Sequence, residues 1–84
     1  MPSEPPIRVL LFARYAELVG REHLELAGGA IPTVGGVVEH IRSLPGGGRI
    51  PAAPLVAVNM RQATLDTPVR AGDEIALLPP LAGG

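Results

Sequence analysis

The sequence of 84 residues contains no cysteine and no lysine, and each absence excludes a class of chemistry. Without cysteine the chain forms no disulfide, offers no thiolate to a metal and carries no sulfur on a thiol side chain. All seven basic residues are arginine, so no side-chain amine is available for an isopeptide bond or a Schiff base. Chains of this protein linked through its own lysines are therefore excluded.

An excess of one charge and a long apolar run are also absent. Seven basic and eight acidic residues give a formal net charge of −1, which predicts no nucleic-acid-binding or membrane-binding patch. No apolar run approaches the ~20 residues of a membrane span. Residues 1–6 are rich in proline and lack the basic and apolar regions of a signal peptide. We therefore expect a cytoplasmic protein with a short, flexible N-terminus at residues 1–6.

Glycine and proline are abundant, and they are concentrated at the two ends and in Leu44–Pro54. A chain of this length buries roughly 60–65% of its unfolded surface, so we expect one domain with one small core. We interpret Gly46–Pro54 as a flexible connection, because no strand precedes its glycines and no Gly-Lys-Ser/Thr follows them, as a phosphate-binding loop would require.

Apolar periodicity predicts a mixed order of strands and helices. Strands are expected at 7–13, 22–27, 55–59, 62–65 and 74–78, and helices at 14–20 and from Thr33 to Leu44. Thr33 is the predicted N-cap of the longer helix. Gly35 and Gly36 each cost about 1 kcal/mol in a helix, so we expect another segment to lie close to the first turn.

The order is strand, short helix, strand, long helix, strand, edge strand, strand, which fits neither a bundle nor a sandwich. The first and last strands are both apolar and can lie side by side in parallel at the centre of a sheet, since most of the chain supplies the long crossover. The pattern predicts an α+β protein with the β-grasp, or ubiquitin-like, fold over residues 7–78, in which one mixed sheet packs on one main helix.

The first strand predicts an exposed apolar patch. Ile7, Val9 and Leu11 alternate with Arg8, Leu10 and Phe12, and Arg8 marks the second face as the wetter one. We expect Leu10, Phe12 and Leu78 to lie together on that face and to dock a partner. The alternative is that a loop of the same chain covers them.

The side chains do not suggest an enzyme or a metal site. His23 and His40 are the only imidazoles, both are expected to be exposed, and no third ligand has suitable spacing. The two serines have no evident base nearby. The group that remains for chemistry is the carboxylate of Gly84.

The last residues suit insertion into another protein. No charged side chain follows Glu74. Pro79 and Pro80 restrict the backbone to extended forms, and Gly83 and Gly84 have no side chain to obstruct a narrow channel. Residues 79–84 form a predicted extended tail that reaches at most about 20 Å. A carboxylate at its end becomes reactive toward sulfur once it is converted to an acyl-adenylate.

The run from Gly72 to Gly84 resembles the C-terminus of the MoaD-type small subunit of molybdopterin synthase, a ubiquitin-like sulfur carrier. The resemblance extends to residues 7–20, the helix after Thr33 and residues 56–59. It implies that the Gly84 carboxylate is adenylated, becomes a thiocarboxylate and gives its sulfur to cyclic pyranopterin monophosphate. It also implies insertion of the whole tail, with roles for the residues Pro79, Pro80, Leu81, Ala82 and Gly83.

The same resemblance implies three kinds of partner and no catalytic side chain in this chain. The partners are the large catalytic subunit of molybdopterin synthase, in a heterotetramer; an E1-like adenylating enzyme; and a sulfur donor such as a cysteine desulfurase or sulfurtransferase. No permanently bound cofactor is expected, because ATP is used by the adenylating enzyme.

Other functions fit the same pattern. The chain is also compatible with a sulfur carrier for thiamin, cysteine or tRNA thiolation, although the Pro-Pro pair and the length favour the molybdopterin type over the thiamin type. A ubiquitin-like protein modifier would share the chemistry as far as the adenylate. A binding module without tail chemistry is a third class.

Overall fold

The computed structural model describes residues 4–80, which form one mixed sheet with helices on one of its faces. The elements in chain order are β1 (Ile7–Leu11), α1 (Arg14–Val19), β2 (His23–Leu26), α2 (Val34–Arg42), a 3₁₀ helix (Gly47–Arg49), β3 (Leu55–Val58), β4 (Arg61–Ala63) and β5 (Glu74–Leu78). None of the helices in the described part of the chain is long and apolar enough to cross a membrane.

The sheet has the strand order β2-β1-β5-β3-β4. β1 and β5 are parallel neighbours, with Val9 beside Ile75 and Leu11 beside Leu77. The other neighbouring strands pair antiparallel. The parallel contact between the first and last strands, predicted from their apolar sequences, is confirmed.

The core lies between the inward face of the sheet and α2. Each strand of the central pair contributes alternate residues, so that Ile75 and Leu77 of β5 are fully buried while Ala76 is only half-buried. From α2 the core receives the stripe Val34, Val37, Val38 and Ile41, as the helical spacing predicts.

The first turn of α2 is capped and closely packed. Thr33 Oγ1 accepts a hydrogen bond from the Gly36 amide at 3.2 Å, which confirms the predicted N-cap. The Gly35 amide donates to the Leu65 carbonyl at 2.8 Å, and a Cβ on Gly36 would stand 2.6 Å from Ile31 Cγ2. The expected close neighbour of the two glycines is therefore confirmed. The helix ends at Arg42, earlier than predicted, and Leu44 packs on the core from beyond its end.

The prediction of a flexible connection at Gly46–Pro54 is wrong. The segment contains the 3₁₀ helix, which contacts both α1 and α2, and its Ile50 is 1% exposed in the core. Arg42 Nε donates to the Ile50 carbonyl at 2.7 Å. A Cβ on Gly47 would collide with the Ile41 carbonyl, so glycine is required here for close approach and not for freedom of movement.

The strand predicted to run to Ala13 ends at Leu11. Ala13 has φ 51° and ψ −126°, which no strand residue adopts, and it begins a turn into α1. The Gly72 amide donates to the Pro6 carbonyl at 3.2 Å, so the described part of the N-terminal segment contacts the turn before β5.

Candidate functional site

The chain leaves the sheet at the C-terminal end of β5. Pro79 is half-buried there and Pro80 is exposed. The remaining predicted tail residues lie outside the described part of the chain; they are Leu81, Ala82, Gly83 and Gly84. Their insertion into a partner and the acyl chemistry of Gly84 therefore stay predictions. We call the point at Pro79, where the chain leaves the sheet, the tail root, and the residues next to it are described below.

An apolar patch adjoins the tail root on the sheet face that points away from α2. The register places Leu10 beside Ala76 and Leu78 beside Leu55. The Phe12 amide donates to the Leu77 carbonyl at 3.3 Å, so the chain continues alongside β5 for one residue beyond β1. We call this set the outer patch; its members are Leu10, Phe12, Leu55, Ala76 and Leu78.

Two members of the outer patch are exposed to an extent that is unusual for large apolar side chains. Phe12 is 38% exposed and Leu55 is 46% exposed, while Leu10 and Leu78 are half-buried. The 3₁₀ helix of the Gly46–Pro54 loop contacts α1 and α2. The three residues predicted from sequence thus share one face, and docking of a partner there stays a prediction.

The opposite end of the same face is charged. Arg8 and Glu74 stand side by side on β1 and β5 and form an ion pair at 3.9 Å, and Glu25 lies opposite Arg8 on β2. A pair this exposed adds little stability. The position of the pair shows instead that this sheet face is polar at the start of β5. The same face is apolar at the end of β5, from which the tail leaves.

The start of β5 is held by a hydrogen-bonded cluster around Asp73. One carboxylate oxygen accepts from Asn59 Nδ2 at 2.9 Å and the other from the Arg70 amide at 2.8 Å. Asn59 Oδ1 in turn accepts from the Glu74 amide at 2.9 Å. These bonds, first that from the Arg70 backbone and then that from Asn59, lower the pKa of Asp73 below its ordinary value of 3.8.

The described side chains form no recognisable catalytic or metal centre. His23 and His40 are exposed and lie on different elements. Between residues 4 and 80 no three His, Asp or Glu side chains are grouped as metal ligands. The arrangement can present a tail and an apolar surface, which is the chemistry of a carrier.

The alternation of β5 predicts that Ala76 shares a face with Leu78, and the structure agrees. The sequence does not predict that Leu55 belongs to the outer patch, because its face depends on the register with β5. The left-handed φ of Ala13 had no sequence signal, since alanine is not the residue expected there.

Comparison with known proteins agrees with this geometry. The ThiS family model matches residues 9–84. The chain is 36% identical over 81 residues to the molybdopterin synthase sulfur carrier subunit of Escherichia coli (strain K12), covering 93% of this chain and 99% of that protein.

Solved structures with the same fold are also similar. The small archaeal modifier protein 1 of Haloferax volcanii has a TM-score of 0.75 and 26% identity, covering 92% of this chain and 99% of that one. One chain in the complex of subunits 1 and 2 of the molybdopterin-converting factor from Helicobacter pylori 26695 has a TM-score of 0.68 and 22% identity, covering 94% of this chain and 99% of that one. The predicted β-grasp fold is confirmed.

Proposed function

The chain belongs to the ThiS family, and we propose that it is the sulfur carrier that forms the small, non-catalytic subunit of molybdopterin synthase. The observation that carries the proposal is the outer patch, which adjoins the root of a tail ending in Gly-Gly. A partner that covers Phe12 and Leu55 would lie beside the point where the tail leaves the sheet. The 36% identity to the Escherichia coli carrier subunit supports the same assignment.

The proposed chemistry takes place at Gly84. Its carboxylate oxygen attacks the α-phosphate of ATP in an adenylating enzyme, and pyrophosphate leaves. A sulfide equivalent from a sulfur donor then attacks the acyl carbon, and AMP leaves with the oxygen. The product is a thiocarboxylate. In the large subunit its sulfur forms a bond to cyclic pyranopterin monophosphate, and water then cleaves the bond between that sulfur and the acyl carbon, which restores the Gly84 carboxylate. ATP is bound by the adenylating enzyme, and this chain supplies the reacting carbon.

Tail loading is tested by intact-mass spectrometry of the protein isolated from its native cells or treated with its adenylating enzyme, ATP and a sulfur donor. We expect a mass increase equal to the difference between sulfur and oxygen, located on Gly84 by fragmentation. A variant lacking Gly84 is the control and should not be loaded. A wild-type chain that stays unmodified under these conditions, or whose mature form does not end at Gly84, would refute the proposal.

Docking is tested by co-purification with the large subunit of molybdopterin synthase from the same organism. Phe12→Arg puts a charge in the outer patch on an exposed side chain, so the domain should remain folded while binding is lost. The matched control is Met60→Arg, which changes a 90% exposed apolar residue in the turn between β3 and β4. Unchanged binding by Phe12→Arg would show that the outer patch is not the docking surface.

A protein modifier is the second candidate, and its support is the similarity to the Haloferax volcanii modifier protein. Such a function would use the same adenylate and transfer the acyl group of Gly84 to an amine of another protein. Covalent conjugates in native cells that disappear on deletion of Gly84 would favour it. Partner identification also separates the thiamin, cysteine and tRNA pathways, since each would yield a different acceptor in place of the large subunit.

A further inference from the structure

A groove lies beside the outer patch, where β1 ends and α1 begins. It holds about 550 Å³, and its wall includes Leu10 and Phe12 of the outer patch together with Ala16 of α1. Two acidic residues, Glu17 on α1 and Glu22 before β2, line it as well, together with His23 of β2. The groove therefore joins an apolar wall to an acidic rim at the same end of the sheet as the tail root.

The acidic rim is not neutralised by a neighbouring arginine. Across residues 4–80 the single ion pair is that between Arg8 and Glu74, at the far end of the sheet face. Arg14 and Arg21 are near in sequence but do not line the groove. Both carboxylates are on exposed residues and offer only hydrogen-bond acceptors, so they select a cation and disfavour an anion.

The turn that builds the groove is strained. Ala13 takes φ 51° and ψ −126° between Phe12 and α1, and the Tyr15 amide closes the turn on the Phe12 carbonyl at 3.1 Å. This is the position of a tight turn that glycine ordinarily occupies. The Ala13 carbonyl accepts from the Ala16 and Glu17 amides, so the same turn joins two residues that line the groove, Phe12 and Glu17. Strained backbone of this kind collects at binding sites.

We propose that this groove receives an arginine side chain of the protein partner that covers the outer patch. An arginine would lay its aliphatic part on Phe12 and Ala16 and place its guanidinium between Glu17 and Glu22. The inference rests on the proposed function, because it adds to the docking surface assigned there. The occupant follows from charge complementarity and from the shared Leu10 and Phe12 wall.

The test is calorimetric titration of the full chain with the large subunit of molybdopterin synthase from the same organism. Glu17→Gln/Glu22→Gln removes the charges and keeps the shape of the rim. Glu39→Gln/Asp66→Asn, on exposed residues of α2 and of the turn after β4, makes the same change in net charge away from the groove. We expect the rim variant to bind about ten- to a hundred-fold more weakly, and the control to bind like wild type.

Salt provides a second readout. Raising ionic strength from about 0.05 to 0.5 M should weaken wild-type binding more than binding of the rim variant, because the rim charges are partly exposed.

Equal affinity of the rim variant and the control for the large subunit, with Phe12→Arg still unable to bind, would overturn the proposal for the groove and leave the assignment of the outer patch intact. Self-association of the wild-type chain that the rim variant abolishes would overturn it in favour of a second copy. Failure of sulfur loading would instead refute the proposed function and leave this binding result standing.

Discussion

Tyr15 is a buried residue whose polar group has no visible partner. Its side chain is 1% exposed in the core, and within residues 4–80 its hydroxyl makes no hydrogen bond. A buried hydroxyl without a partner costs about 1–3 kcal/mol. The ring therefore stabilises the fold through its apolar area, and the hydroxyl opposes that contribution.

We predict that Tyr15→Phe keeps or raises the free energy of unfolding, by up to about 1 kcal/mol. Tyr15→Ala should lower it by about 3–5 kcal/mol, because it also removes the ring and leaves a cavity. Urea denaturation followed by circular dichroism measures both. A loss of about 1 kcal/mol or more in Tyr15→Phe would mean that a bound water satisfies the hydroxyl.

Ala13 tests the strain assigned to the turn before α1. Glycine adopts a φ of 51° without a steric penalty but loses more entropy on folding. We predict that Ala13→Gly changes the free energy of unfolding by less than about 0.5 kcal/mol or raises it. Ala16→Gly, in the helix that follows, should lower it by about 1 kcal/mol. Equal losses in the two variants, again by urea denaturation, would show that the Ala13 backbone is not strained.

At the scale of elements, the Gly46–Pro54 loop shows where composition misleads. Glycine and proline in this segment suggested freedom of movement, yet the loop buries Ile50 and contacts both helices. Composition does not distinguish a glycine chosen for flexibility from one chosen because a neighbouring backbone comes too close. At Gly47 the neighbouring backbone group is the Ile41 carbonyl. No pattern in the local sequence predicts that this carbonyl lies so close to Gly47.

Gly47→Ala and Gly48→Ala form a matched pair for this loop. A Cβ at Gly47 would overlap the Ile41 carbonyl, whereas one at Gly48 would stand 3.9 Å from the Arg42 carbonyl. We predict that Gly47→Ala lowers the free energy of unfolding by about 2 kcal/mol or more, and Gly48→Ala by less than about 0.5 kcal/mol. Similar values for the two variants, from thermal or urea unfolding, would restore the flexible interpretation.

The central strands were readable from sequence for a physical reason. Both β1 and β5 alternate fully buried residues with half-buried or exposed ones, and each follows a proline-rich or glycine-containing segment that limits where it can begin. What could not be read was the register, which alone places Leu55 next to Leu78 and so completes the outer patch. Register depends on contacts between distant segments, and a single sequence carries little information about them.

The cluster around Asp73 makes the start of β5 sensitive to acid. Because the folded-state pKa of Asp73 is lowered, its contribution is fully present above the unfolded-state value near 3.8 and is lost as pH falls through the folded-state pKa. We predict that the stability advantage of wild type over Asp73→Asn, measured by urea denaturation, narrows between about pH 5 and pH 2. Asp66→Asn is the control. If the difference in stability between wild type and Asp66→Asn narrows as much over the same pH range, the effect is not specific to this cluster.

At the scale of the whole molecule, we predict that the folded domain and the tail have separate roles. The buried core of the described residues begins at Ile7 and ends at Leu77, and the strands that enclose it end at Leu78. We therefore expect the segment before Pro79 to account for the stability of the domain. The outer patch belongs to the folded sheet and adjoins the root of the tail. It therefore links the two proposed roles, docking by the domain and sulfur transfer by the tail.

This separation predicts that deletion of Gly84 changes function without changing stability. The variant should have the same free energy of unfolding as wild type in urea, within about 0.5 kcal/mol, because the core of the described residues ends at Leu77. It should also bind the large subunit through the outer patch while accepting no sulfur from the adenylating enzyme and donor. Phe12→Arg is the reciprocal case. Where the adenylating enzyme does not bind through the same patch, this variant should still receive sulfur at Gly84, as detected by intact-mass spectrometry. A Gly84 deletion that destabilises the domain by more than about 1 kcal/mol would show that tail and sheet are energetically coupled, and that loading and docking cannot be assigned to separate parts of this chain.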